Sequence, residues 1–575
     1  MRNILKYMKG FGKECVLSPL FKMLEAIFEL LVPLVVSGII DTGVGGEDKG
    51  YIIRMGIIMA LLAVIGLACA LTAQFFAAKA AVGFSSRLRH AVMEHLLHLN
   101  YTCFDQLGTS TMVTRLTSDI NQVQNGVNLS LRLLLRSPFV VFGAMIMAFT
   151  IDARSALIFL GLIVLLCVVV FGITLITMPI YRRVQSNLDS VTQSTRENLA
   201  GVRVLRAFCM EDAQVAKFAA KTQALSREQQ FAGRIAALLN PVTFVLVNMA
   251  IIVLIYTGAL RVQAGLLTQG LVIALYNYMS QILVELIKMA NLIITISKAI
   301  ACGNRINAVL SIETKQENIS RDIMEAHGAV ELRNVAVKYS GAADVSLENI
   351  SFSAQPGQTI GIIGGTGSGK TTLVNVISGF YDVTEGAVFI DGQDIREYTQ
   401  SQLRKMIGIV PQKAVLFHGS IRENLLWGNP DATDEQIWEA LEVAQAKDFV
   451  MLKDGQLDAP VEQSGKNFSY GQLQRLTIAR ALLCDPKILI MDDSASALDY
   501  ATDAKLRQAI RLRANAPTTF IVSQRAASVR FCDLILVLDD GCLVGAGTHD
   551  ILLETCSVYR EIFHSQFSKE VAKHG

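Results

Sequence analysis

Two aspartates, Asp492 and Asp493, close the apolar run Lys487-Ile-Leu-Ile-Met, and a glycine-rich segment lies more than a hundred residues before them. That segment, Gly364-Gly365-Thr366-Gly367-Ser368-Gly369-Lys370-Thr371, follows the apolar Thr359-Ile-Gly-Ile-Ile and precedes Thr372-Leu-Val-Asn-Val-Ile. A buried strand, a tight glycine loop and a helix start are the context in which this spacing cradles phosphate. The glycines let backbone N–H groups curl round a β-phosphate at the positive end of the helix, where Lys370 reaches the β- and γ-oxygens. Thr371 offers its hydroxyl to Mg²⁺, which Asp492 holds from the other side through the metal's water shell. The residue after such an aspartate is ordinarily a glutamate that polarises the attacking water, and here Asp493 is one methylene shorter. A displacement of about 1 Å in a catalytic group costs on the order of 10²-fold in rate, so this chain is expected to bind ATP well and hydrolyse it slowly at its own site. Gln524, at the end of the strand-like Thr518-Thr-Phe-Ile-Val, agrees. It stands where a histidine would contact the γ-phosphate and the water, and an amide hydrogen-bonds there without carrying charge.

The segment Phe468-Ser469-Tyr470-Gly471-Gln472, followed by Leu-Gln-Arg-Leu-Thr-Ile-Ala-Arg480, resembles the signature motif of ATP-binding-cassette (ABC) proteins. The resemblance extends over the whole chain. It takes in Gln412 of Val-Pro-Gln (the Q-loop, a further Mg²⁺ contact), Asp499 of Ser-Ala-Leu-Asp (the D-loop), and Tyr339, where the family stacks an aromatic ring on adenine. It implies a cassette that works in pairs, ATP on one P-loop being capped by the signature of the other, so Ser469 and Gly471 would act on a partner's nucleotide. The signature departs from Leu-Ser-Gly-Gly-Gln at Phe468 and Tyr470, and Glu462-Gln463 replaces a common Gly-Glu just before it.

The cassette must be mounted on a membrane, since 52% hydrophobic and only 18% charged residues exceed what a soluble core requires. Most of the excess lies before residue 300. Stretches at about 16–40, 51–83, 133–151, 155–178, 240–261 and 270–297 are each long enough to cross roughly 30 Å of hydrocarbon. An even number of spans puts both termini on one side, which the ATP-binding domain fixes as the cytosol. Arg87, Arg89, Arg115, Arg182, Arg183, Arg203 and Arg206 fall between spans on that side, while the opposite turns carry few basic residues.

The connections after the second and fourth spans show helical periodicity and should project into the cytosol. Phe104-Asp-Gln-Leu-Gly108 and Glu197-Asn-Leu-Ala-Gly-Val-Arg-Val204 resemble the intracellular loops of ABC exporters, with coupling helices at their tips. The basic start Met1-Arg-Asn-Ile-Leu-Lys-Tyr-Met-Lys reads as an interfacial elbow helix. The expected architecture is an α-helical membrane domain at 1–310, a linker at 311–327, and an α/β P-loop cassette with a helical subdomain at 328–575.

Ionisable groups inside spans are costly and point to a cavity or to one another. Glu25 and Glu29 share a helical face, and Glu285 can pair with Lys288. With Asn248, and with Asn240, Asn277, Gln281 and Asn291, they are candidates for a path that attracts cations. Ten scattered cysteines and eight histidines show neither zinc nor disulfide spacing. A net charge of +2 argues against a nucleic-acid partner.

Chains of this family with Asp and Gln at the two positions typically pair with one that keeps Glu and His. The resemblance therefore implies an exporter of small amphiphiles in a bacterial plasma membrane, using ATP and Mg²⁺ and built as a heterodimer with a second half-transporter. The alternative is a low-turnover homodimer serving as an ATP-gated pore or regulatory subunit.

Overall fold

The computed structural model describes residues 3–312, 326–339 and 344–571, so most of the expected linker lies outside the described residues. The chain separates into two compact units, one of residues 1–97 and 109–312, the other of residues 98–108 and 313–575.

In the first unit, six helices among the described residues are long and apolar enough to cross a membrane: Gly12–Val44, Lys49–Leu97, Thr109–Ile151, Ala153–Ala200, Glu211–Gln263 and Gln269–Leu310. At 1.5 Å per residue the 49-residue second helix is about 74 Å long, more than twice the hydrocarbon thickness, so its polar end continues well beyond the bilayer. Leu61, Val64, Leu67, Leu71 and Phe75 on this helix are exposed, as lipid-facing residues are. Asp152 makes the turn into the fourth helix by accepting from the Ser155 backbone N–H at 2.8 Å. Thr268 caps the sixth, and Tyr278 donates to the Leu30 carbonyl at 2.7 Å within the packed cluster of Ala26, Val140, Ala144 and Leu275. The expected N-terminal elbow helix is a single 3₁₀ turn, Leu5–Met8, closed off by Gly10 at a φ of +98°.

Among its described residues the second unit carries twelve strands: β1 (Val330–Val337), β2 (Leu347–Ala354), β3 (Thr359–Gly364), β4 (Glu385–Ile390), β5 (Gln393–Asp394), β6 (Ile407–Val410), β7 (Gly419–Ser420), β8 (Pro460–Val461), β9 (Ile488–Asp492), β10 (Thr518–Val522), β11 (Leu534–Asp539) and β12 (Cys542–Gly547). Their main sheet has the order β12-β11-β3-β10-β9-β6, parallel except for β12. Every residue of β9 and β10 is buried, which a parallel sheet covered on both faces demands of its central strands. A second, antiparallel sheet has the order β2-β1-β4-β5. The helices Asp434–Val443 and Tyr470–Leu483 pack Ile437, Leu441 and Leu476 into the helical subdomain.

Because β3, β10 and β9 are neighbours, Val522 lies opposite Ile362 on one side and Asp492 on the other. The phosphate loop, Gln524 and both aspartates, far apart in sequence, thus emerge from one edge. The carboxyl ends of adjacent parallel strands are where such sheets bind ligands.

Candidate ATP site

The loop after β3 turns through Gly367 and Gly369, at φ +86° and +92°, and the helix Lys370–Ile377 begins at once. A Cβ on Gly369 would sit 2.6 Å from Leu347 Cδ2 and 2.8 Å from the Ser346 carbonyl, so space as well as backbone conformation calls for glycine. Lys370 Nζ is held over the loop by the carbonyls of Gly364, at 2.9 Å, and Gly365. Burial pulls its ammonium below the usual lysine range, opposed by the charges of Asp493 and Asp492.

Thr371 Oγ1 donates to Asp492 Oδ1 at 3.4 Å. With the Gln412 amide lining the same cavity, they form a hard oxygen set of the kind Mg²⁺ takes. Burial, helped by the neighbouring Asp493, pushes the Asp492 carboxyl up, a cost that a cation bound there would offset. Asp493 has left-handed backbone, φ +46°, and its N–H donates to the Val522 carbonyl at 3.1 Å. Burial raises its carboxyl too, against the pull of the Gln412 amide, Arg525 and Lys370.

One cavity of about 570 Å³ is bounded by Thr366, Gly367, Gly369, Lys370, Thr371, Thr372, Gln412, Asp492, Asp493 and Gln524. Asp540 and Gly541, which the sequence did not point to, line it as well. Gln566 was missed for the same reason, its distance along the chain: it donates to the Gln524 carbonyl and accepts from the Ala526 N–H, each at 2.8 Å, so the C-terminal helix fixes the loop that carries Gln524.

Tyr339 donates to Thr372 Oγ1 at 3.2 Å and lies edge-on to Tyr381, with ring centroids 5.1 Å apart. Tyr381 in turn donates to Asp105 of the short helix Tyr101–Leu107, and Tyr101 packs on Phe380 at 4.4 Å. The other loop-tip helix is Val202–Ala207, in the first unit.

Ser469 caps the helix Tyr470–Leu483 in a reciprocal box with Gln472, placing the signature at a helix N-terminus. Tyr470, one of the two departures from the usual motif, donates to the Gln412 carbonyl at 3.0 Å and so ties the signature to the Q-loop. Asp499 caps the helix Tyr500–Arg511 by accepting from the Thr502 N–H at 3.0 Å.

In the membrane unit the carboxylates do not stand alone. Arg136 donates to Glu285 Oε1 and to Glu29 Oε2, each at 2.6 Å, and its Nε lies 3.9 Å from Glu25. Lys288 pairs with Glu285 at 2.8 Å and Lys22 with Glu25 at 2.6 Å, while Ser137 donates to the second Glu285 oxygen. Three cations therefore balance three anions, and no surplus negative charge remains in this group to attract a cation. Glu285 is 2% exposed, and Asn248 donates to its own helix at the Phe244 carbonyl. Arg136 was the missed residue, and the signal was there: an arginine inside an apolar stretch needs partners. Arg136→Met should destabilise the membrane unit by about 3–5 kcal/mol, because it takes the buried guanidinium from Glu29 and Glu285 and leaves the buried Glu285 only the half-exposed Lys288 and the Ser137 hydroxyl. Thermal unfolding in detergent checks this, and adding Glu285→Leu should restore most of the loss.

A family model described as the ABC transporter transmembrane region matches residues 15–286, and one described as ABC transporter matches residues 347–496. An uncharacterised ABC transporter ATP-binding protein of Mycobacterium tuberculosis is 36% identical over 98% of this chain and 97% of its own length. The ATP-dependent lipid A-core flippase of Escherichia coli is 26% identical over 99% of this chain and 98% of its own. Among solved structures, a bacterial Atm1-family ABC exporter with ATP bound superposes with a TM-score of 0.81 at 22% identity, covering 96% of this chain and 98% of that one, which shows a shared fold.

Proposed function

Since this chain belongs to the ABC transporter family and is an ATP-hydrolysing membrane translocase of the exporter type, we propose that it is the hydrolysis-impaired half of a heterodimeric exporter. The observation that carries the proposal is Asp493 beside Gln524 at the mouth of an otherwise complete phosphate site. Lys370 and the loop N–H groups bind the triphosphate, Tyr339 stacks on the base, and Thr371, Gln412 and Asp492 would hold a Mg²⁺. Bound there, the metal would supply charge neutralisation to the triphosphate. Asp493 falls short of the attacking water and Gln524 cannot offer charge to the γ-phosphate, so ATP bound here turns over slowly and keeps the two cassettes together. Ser469 and Gly471, at the start of their helix, present N–H and hydroxyl donors to the nucleotide on the partner's P-loop, where turnover occurs.

Both termini and the cassette lie in the cytosol of a bacterial plasma membrane, and the cargo is a small amphiphile. The lipid A-core flippase among the relatives supports that cargo class.

Purification of the tagged chain at its native expression level tests the pairing. A stoichiometric second half-transporter, with Glu and His at the positions equivalent to Asp493 and Gln524, is expected. A homodimer with full ATPase activity would contradict it.

A further inference from the structure

Between the first and second membrane helices lies a cavity of about 330 Å³, lined by Phe28, Val32, Leu62 and Leu67 and floored by Glu25, Glu29 and Arg136. The second helix makes room for it with small residues one turn apart, Ala63, Gly66 and Ala70. A Cβ on Gly66 would meet nothing within 4 Å.

The floor is incompletely satisfied. Arg136 is 6% exposed, yet its Nε–H has no hydrogen-bond partner, an uncommon state for so buried a donor. Glu25 Oε1 is 3.9 Å from it, too far for a hydrogen bond. An atom about 2.8 Å from each would close that gap, but it must accept from Nε–H and donate to the carboxylate. Hydroxyl groups do both, and so do neighbouring atoms of an amide. Glu29, its side chain 41% exposed, offers a further acceptor beside Arg136 and Glu25.

We propose that this cavity binds an amphiphile whose neutral head both donates and accepts hydrogen bonds, a hydroxylated or amide head, with its apolar chain along Phe28, Val32, Leu62 and Leu67. The proposal rests on the exporter reading for its role as a cargo site and departs from the reading of a cation path. The ion group is already neutral, and a quaternary ammonium has neither a hydrogen to give Glu25 nor a lone pair for Arg136 Nε. Glu25 and Arg136 then determine specificity through hydrogen bonding rather than net charge.

The test uses the full chain, as purified with any partner, in phosphatidylcholine nanodiscs and three diazirine-bearing probes of equal chain length: an alkylglycerol, its di-O-methyl ether and an alkyltrimethylammonium. Photolabelling is read by mass spectrometry on the peptide containing Leu62, Gly66 and Leu67. The alkylglycerol should label about tenfold more than either other probe, the factor expected of one net hydrogen-bond pair. Gly66→Leu should abolish the difference by filling the cavity, and Ala63→Leu should do the same if the first variant assembles poorly. Equal labelling by the dimethyl ether or the trimethylammonium probe, or labelling that survives both fillings, would overturn the proposal. Competition by diacylglycerol in the disc marks a bilayer lipid as the source of the head, and its failure to compete marks a dispersed cargo; both outcomes support the assigned headgroup chemistry. Labelling needs no ATP turnover, so a probe that binds here but is never transported would count against the exporter reading and leave the site standing.

Discussion

Ser469→Arg should lower the steady-state ATPase activity of the assembled transporter by about 100-fold or more while leaving nucleotide binding at this chain's own P-loop unchanged. Donors aimed at charge that develops in a transition state are worth on the order of 10²–10³ in rate, and an arginine adds bulk where two cassettes must close. The substitution also removes a helix cap that accepts from the Gln472 N–H at 3.3 Å, a loss of about 1 kcal/mol in local stability. Ser469→Ala removes the same cap without the bulk, so comparing the two separates capping from obstruction. ATP binding, followed with a fluorescent analogue on the isolated chain, should be the same in both variants and in the wild type, because the proposed pairing has Lys370 and Ser469 of one chain serve different nucleotides. Full activity in Ser469→Arg would refute the division of labour between the two sites.

Much of the ATP site is legible in the amino-acid sequence because its parts are local. A glycine loop between an apolar run and a helix start, and a carboxylate pair ending another apolar run, each carry their chemistry within eight residues. That they meet follows from strand order, since β10 inserts between β3 and β9 and aligns Val522 with both Ile362 and Asp492. What stays hidden is made by long-range contacts. Gln566 reaches the loop of Gln524 from 42 residues away, and Tyr470 finds the Gln412 carbonyl from 58. Neither side chain has a local pattern to announce it.

The membrane unit shows the same division more sharply. Hydropathy locates the spans, but not the full helices, since the polar continuation of Lys49–Leu97 is helical by periodicity and not by apolarity. The pairing of Glu285 with Lys288 is three residues apart on one helix and can be read directly. Arg136 joins Glu29 across 107 residues and Glu285 across 149, so two carboxylates from different spans share one guanidinium that no local pattern announces. A basic N-terminus suggests a helix lying on the membrane, whereas one 3₁₀ turn ends at Met8 and the first long helix starts at Gly12.

In the proposed cycle Asp493 and Gln524 hold back hydrolysis at an ATP site whose binding parts are intact. Asp493→Glu restores the missing methylene on a backbone already fixed by the Val522 carbonyl, and Gln524→His restores a group able to carry charge beside the γ-phosphate. Neither change disturbs the oxygen set of Thr371 and Asp492. The deciding measurement is the ATPase rate of the assembled transporter with both substitutions together, the partner's own P-loop lysine being replaced so that only this site reports. The account predicts a rise of about tenfold to 100-fold over the same assembly with native Asp493 and Gln524. Turnover that is already fast in the native background and is abolished by Asp493→Asn would show this to be the principal catalytic site and would contradict the account.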